Sequence, residues 1–148
     1  MFATCTFQEF DPGCGGIPVR SSNGKPRFLH TLRYQVEHVM PSTFPDWAWV
    51  KAAHAGTMGQ AEFFDRYARM IRGRVDQVRE EAEQILQPLG VEPSTRVVLL
   101  CFDRLDKPGN WCHRTAFGQT WSEITGEDVP ELGRVVSPEL RAEQYKLL

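Results

Sequence analysis

The chain has 148 residues, of which 41% are hydrophobic and 24% charged, with a formal net charge of −2. That length suits one domain whose core is large enough to fold without disulfides or metals. The slightly acidic balance excludes a general polycation, so any contact with nucleic acid must come from a local patch. No run approaches the roughly 18 apolar residues of a membrane span. The start Met1-Phe2-Ala3-Thr4-Cys5 lacks the basic opening and apolar run of a secretory signal, so a cytoplasmic protein with no membrane partner is expected.

In chain order, residues 1–8 read as a first strand. Asp11-Pro12-Gly13 with Gly15 and Gly16 forms a turn-rich loop. Ile17-Pro18-Val19-Arg20-Ser21 is a short second strand, and Ser22-Asn23-Gly24 a turn. Pro41, Pro45, Phe44, Trp47 and Trp49 mark an irregular stretch with a short helix over about 45–54. Phe64, Tyr67, Ile71, Val75, Val78, Ala82, Ile85 and Leu89 then recur at spacings of three and four. They predict one long helix, opened by a capping box at Thr57 and Gln60 and stopped by Pro88 and Gly90. Arg96-Val97-Val98-Leu99-Leu100-Cys101-Phe102 is apolar on both faces, as a central strand covered on each side would be. A loop follows to Asn110, then a helix over about 112–124 with Ala116, Phe117, Thr120 and Trp121 inward and Gly126 and Pro130 beyond it. Strand, strand, helices, strand, helix is an α/β order. The expectation is a single compact domain, a mainly parallel sheet with helices on its faces, over residues 1–124. Residues 125–148, with five acidic and three basic side chains and weak patterning around Val135, Val136 and Leu140, are read as a tail or arm that adds little to the core.

Cysteines stand at positions 5, 14, 101 and 112. Free thiols are the rule in a reducing compartment, and both sequence gaps exceed the short spacings of zinc knuckles. No metal or cofactor is therefore assigned, although a four-cysteine site made from the two distant pairs is conceivable. Cys5 and Cys101 suit small buried positions in strands.

Right-handed crossovers place the 101–112 loop at the carboxyl edge of the central strand, where open α/β sheets bind ligands. Cys101, Asp103, Arg104, Asp106, Lys107, Trp111, Cys112, His113 and Arg114 gather there. With Asn110 or Trp111 as the helix cap, the Cys112 and His113 amides fall in the first turn, where unpaired N–H groups and the helix dipole favour an anion. Cys112 is then a candidate low-pKa nucleophile, His113 a proton carrier, Asp103 the group that orients His113 or Arg114, and Arg114 a fork for phosphate or carboxylate. The plainer alternative packs Cys112 under the loop and bridges Arg114 to Asp103 or Asp106, because neighbouring helical residues point about 100° apart.

A second patch runs from Gly13 to Val36, where Arg20, Lys25, Arg27 and Arg33 meet no acidic residue. Phe28, His30 and Tyr34 lie among them, and cations beside stacking surfaces suit bases and phosphates. Arg20, Lys25 and Arg27, with Cys101, Trp111 and Arg114, are the candidate ligand-binding residues.

Gly16-Ile17-Pro18-Val19-Arg20 with Gly24-Lys25-Pro26-Arg27-Phe28, the strand Val98-Leu99-Leu100-Cys101-Phe102-Asp103, and Cys112-His113-Arg114 occur in that order. Over about residues 1–122 the chain resembles the bacterial "domain of unknown function 488" family. The resemblance implies a compact α/β domain in which Arg20, Pro26, Cys101, Cys112, His113 and Arg114 form one recurring site. Members commonly carry Glu where this chain has Asp103, whose shorter side chain reaches less far. The resemblance supplies no activity. The residues point first to a nucleotide- or nucleic-acid-directed enzyme, acting at a base, glycosidic bond or phosphate. The alternatives are a non-catalytic binding module using the same anion site, or zinc held by cysteines with His113.

Overall fold

In the computed structural model of the chain, residues 1–22, 24, 26, 32–43 and 48–135 are described, without the side chains of residues 48, 49 and 54. Asn23, Lys25, Arg27, Phe28, His30, Phe44, Pro45, Trp47, Val136, Pro138 and Leu140 lie outside them, as does the Trp49 side chain.

The sheet has four strands, all parallel: β1 (Phe2–Thr6), β2 (Ile17–Arg20), β3 (Tyr34–Gln35) and β4 (Val97–Cys101), in the order β1-β4-β2-β3. The five apolar residues of β4 are all buried, as an interior strand with both faces covered requires. Register pairs Phe2 with Val97 and Thr6 with Cys101 on one side of β4, and Ile17 with Val97 and Arg20 with Leu100 on the other. The carboxyl ends of β1, β2 and β4 therefore finish side by side. Gly16 lets the chain enter β2 flush against β4, since a Cβ there would stand 2.5 Å from Val98 Cγ2.

The helices are α1 (Ala48–His54), α2 (Gln60–Arg72), α3 (Val75–Leu86) and α4 (His113–Thr125). All four contribute to one core cluster with Phe2, Val19, Val97 and Leu99: Val50 from α1, Phe63, Tyr67 and Ile71 from α2, Val78 and Ala82 from α3, Ala116, Phe117 and Trp121 from α4. The opposite face of the sheet carries Ala3, Cys5, Val98 and Leu100, with Phe7, Phe10 and Leu32 from turns and loops packed on it.

The single long helix expected over residues 57–89 is two helices. Gly73 ends α2 and Arg74, at φ −128°, ψ 15°, leaves helical geometry before α3 begins. The Arg74 guanidinium donates to the Thr43 hydroxyl and carbonyl. The apolar spacing runs straight across the break, Ile71 to Val75 to Val78, so periodicity alone does not show it. The expected capping box is also absent. Thr57 donates to the Ala52 carbonyl and closes α1, while Gly59 caps α2. Pro88 and Gly90 do end the pair, through a 3₁₀ turn over Gln87–Leu89 and a left-handed Gly90.

The first part of the tail is not peripheral. The Thr4 amide donates to the Pro130 carbonyl and the Leu132 amide to the Thr4 carbonyl, so residues 130–132 lie along the outer edge of β1. Val129 packs against the main cluster. An outer strand left bare exposes unpaired main-chain groups, and this segment covers part of that row. No helix among the described residues is long and apolar enough to cross a membrane.

Candidate functional site

The site forms where β2 and β4 end and α4 begins. The Ser21 amide and hydroxyl both donate to the Leu100 carbonyl, at 3.0 and 2.8 Å, locking the exit of β2 to the end of β4. Cys101 is the last residue of β4, and Cys112 is the N-cap of α4, two positions later than Asn110 and one later than Trp111. That shift changes the geometry. Cys112 has extended backbone angles (φ −146°, ψ 149°), so it escapes the 100° fan of helical neighbours and its Sγ lies 3.6 Å from His113 Nδ1. Asn110 instead donates to the Arg104 carbonyl.

His113 Nε2 lies 2.9 Å from the Ser21 carbonyl oxygen. A carbonyl only accepts, so Nε2 carries the proton and the lone pair of the neutral ring is on Nδ1, facing the sulfurs. Orientation of His113 thus comes from Ser21, while Asp103, expected to orient His113 or Arg114, meets Arg114 through its carbonyl. The Tyr67 ring stands 5.6 Å from the imidazole, its hydroxyl donating to the Val39 carbonyl. The ligand atoms of Cys101, Cys112 and His113 all lie within 4.8 Å of one another, and all three residues are buried.

The Cys112 thiol donates to Cys101, which holds the Cys101 thiol well below its ordinary range despite burial; the Asp103 amide acts in the same direction, and so does His113 when its ring is charged. Burial, together with the charge on Cys101, pushes Cys112 well up. The low-pKa sulfur of the pair is therefore Cys101, the reverse of the sequence expectation. Cys5 belongs to the other face of the sheet, where burial and Glu131 push it up to about 11. Cys14 is exposed. A site joining all four cysteines is excluded, since Cys5 and Cys101 lie on opposite sides of the sheet.

Arg114 is turned away from solvent and only 1% exposed. Its Nε donates to Glu131 Oε1 and its Nη1 to the Asp103 carbonyl, both at 2.6 Å, while the buried Nη2 has no hydrogen-bond partner. Burial works against the guanidinium charge, but negative charge on the cysteine pair and Glu131 outweighs it and raises Arg114 above its ordinary range. The fork expected for an external anion already holds an internal carboxylate. Asp103 meets Arg114 through its main chain, and Asp106 is engaged by Arg104 in two hydrogen bonds.

A cavity of about 320 Å³ opens over the cluster. Cys101 and His113 line it, together with Ser22, Gly24, Phe63 and Asp103 among others; Cys112 does not. Trp111, packed against Phe63 and Phe64 with ring centroids 5.1 and 5.8 Å away, walls a neighbouring cavity of about 270 Å³, and Phe63 and Asp103 border both. Arg20 ends β2 one residue before Ser21, with its Nη2 on Gln35 Oε1. Pro26 is buried, and Lys25 and Arg27 fall outside the described residues. Sequence reasoning missed Ser21, Phe63 and Glu131. Only Ser21 carried a signal, as the residue following a strand that ends beside the central one.

Comparison with protein-family models, with curated proteins and with solved structures finds no match to this chain.

Thiol chemistry gives a direct check on the two cysteines. In chelator-treated protein at neutral pH, iodoacetamide is expected to label exposed Cys14 first and Cys101 next, through the cavity, with Cys112 and Cys5 last. The Cys101 rate should change little as pH rises into the ordinary thiol range, because its pKa is held below that range, while Cys5 continues to gain. Peptide mass spectrometry after short pulses reads the order; Cys112 ahead of Cys101 would reverse the assignment.

Proposed function

We propose that the protein is an enzyme acting on a nucleotide or nucleic-acid fragment held in the 320 Å³ cavity, with Cys101 and His113 as the reactive groups. We further propose that it belongs with the family of unknown function 488 whose three stretches it resembles. The observation that carries the reading is the His113–Ser21 hydrogen bond, which ties the start of the basic 20–33 segment to the Cys-His cluster. Residues from each resembling stretch then border one chamber: Gly24, Cys101 to Asp103, and His113. The volume lies at the lower end of the roughly 300–1,000 Å³ of small-molecule sites. Phe63 forms a wall and Phe102, 48% exposed, its rim, surfaces on which a base stacks. Gly24 is followed in sequence by Lys25 and Arg27, cations suited to phosphate. The unprotonated Nδ1 of His113 suits proton acceptance from a bound group. The binding module built on Arg114 has less support, since Glu131 already occupies that guanidinium.

NMR titration with a panel of mononucleotides and short single-stranded oligonucleotides tests the reading. Shifts are expected at the Ser22, Gly24, Phe102 and Asp103 amides. With a nucleotide that is turned over, Cys101→Ser and His113→Ala should abolish turnover while leaving affinity within a few-fold. A panel that moves none of those amides would end the proposal.

A further inference from the structure

Outside the roles so far assigned, the cluster has a property of its own: two sulfurs and one imidazole nitrogen converge from three backbone positions. We propose that Cys101 Sγ, Cys112 Sγ and His113 Nδ1 bind one zinc-class divalent cation, leaving a fourth coordination position open to the cavity.

The geometry carries this. Tetrahedral zinc with Zn–S near 2.3 Å and Zn–N near 2.0–2.1 Å puts sulfur and nitrogen ligands about 3.5 Å apart. Cys112 Sγ and His113 Nδ1 are 3.6 Å apart. Two sulfurs on such an ion stand about 3.8 Å apart. All three ligand atoms lie within 4.8 Å of one another, so any contraction needed stays near 1 Å. Adjacent residues rarely present donors to one point, and here they do because Cys112 is an extended N-cap while His113 is already helical.

The surroundings are those a metal-bound set requires. Ligating histidines donate their other ring N–H to a carbonyl or carboxylate, which fixes the tautomer. The Ser21 carbonyl does this for His113 at 2.9 Å. Metal thiolates gain from N–H donors nearby. The Asp103 amide serves Cys101 and the Arg114 amide, short of a full cap hydrogen bond, favours Cys112; each lies two residues beyond its cysteine. Two thiolates and a divalent ion are neutral together, and the buried Arg114 charge beside them is matched by Glu131. Three protein ligands leave one vertex of a tetrahedron unfilled, the pattern of sites that hold water or a substrate atom rather than purely structural ones. Cys101 and His113 line the cavity and Cys112 does not, so that vertex faces the chamber.

The inference does not depend on nucleotide binding, and with metal bound Cys101 Sγ and His113 Nδ1 serve as ligands in place of the reactive roles given to them above. Chelator-treated, reduced protein is titrated with Co²⁺ alone. A thiolate-to-cobalt charge-transfer band with the intense d–d absorption of tetrahedral cobalt is expected, saturating at about one equivalent and bleached by Zn²⁺. Cys101→Ser and Cys112→Ser should weaken binding by more than the roughly 10–100-fold typical of losing an outer partner of a ligand. Cys5→Ser and Cys14→Ser should leave the band unchanged, and they control for folding because they retain the whole cluster. Absence of a thiolate band in the wild-type protein, or a band that survives both Cys101→Ser and Cys112→Ser, overturns the inference. Metal binding without any nucleotide-induced shift removes only the nucleotide reading, and nucleotide shifts without a thiolate band remove only this one.

Discussion

Replacing Glu131 with alanine is expected to cost about 3–5 kcal/mol, the range seen when one partner of a buried ion pair is removed. For a chain of this size that is a fall in Tm of the order of 10 °C. Arg114 has a fully buried side chain and keeps its charge, so without the carboxylate it retains only the Asp103 carbonyl. Glu131→Gln, which preserves an acceptor for Nε, should fall between alanine and wild type. Ending the chain after Val129 should match or exceed the alanine loss, because the Thr4 main-chain bonds go as well. Ending it after Leu132 should cost less, since it keeps the Arg114–Glu131 pair and the Thr4 bonds and, among the described residues, removes the Arg134 bonds to Glu9, the Gly133 amide bond to Glu131 and the Leu105–Val135 bridge. Thermal melts of the four variants decide this. A Glu131→Ala protein within about 1 kcal/mol of wild type would show that Arg114 finds other partners.

Trp121→Ala should be comparably severe, about 3–5 kcal/mol by the range for large aromatic truncations. The indole is fully buried, meets Phe2 edge-on at 5.0 Å and stacks on Phe117 at 5.6 Å. Arg79 lies over it at 5.5 Å, and its N–H donates to Glu127 Oε2 at 2.9 Å. Phe2 stands at the start of β1, so the ring is what clamps α4 onto the first strand. Trp121→Phe, which keeps most of the packing and loses the N–H bond, should cost about 1–2 kcal/mol. Chemical denaturation of both variants checks the order. Equal losses would mean that the Glu127 bond, not the packing, dominates.

The sheet was legible because β4 announces itself. A run apolar on both faces has few places to go except the middle of a covered sheet, and helices before and after it require parallel neighbours. The division of α2 from α3 was not legible, since Ile71, Val75 and Val78 keep helical spacing through the break at Gly73 and Arg74. Strand β3 has only Tyr34 and Gln35, too short for any alternation to register. At the site, Cys112, His113 and Arg114 could be picked out as a group, but not their directions. A cap placed one or two residues early puts Cys112 inside the first turn, whereas it is the N-cap and Cys101 is the sulfur that faces the cavity. Glu131 gave no sign at all: its partner is distant in sequence, and the segment around it has no periodicity to betray that it is docked. Charge pairing across such distances is decided by the fold and not by local pattern.

Pairing in the sheet also fixes when the protein is able to fold. Strand β1 makes its ladder with β4, so Phe2 waits for Val97 and Thr6 for Cys101. Phe2 finds its aromatic partners later still, in Phe117 and Trp121, and Thr4 receives its outer-edge bonds only from residues 130–132. Synthesis runs at roughly 5–20 residues per second, so the first strand spends several seconds outside the ribosome with its apolar face uncovered. Such long-range pairings make folding slow and leave the nascent chain open to aggregation. The ladder of β1 and the site at residues 101–114 are therefore completed together, since both wait for β4 and α4.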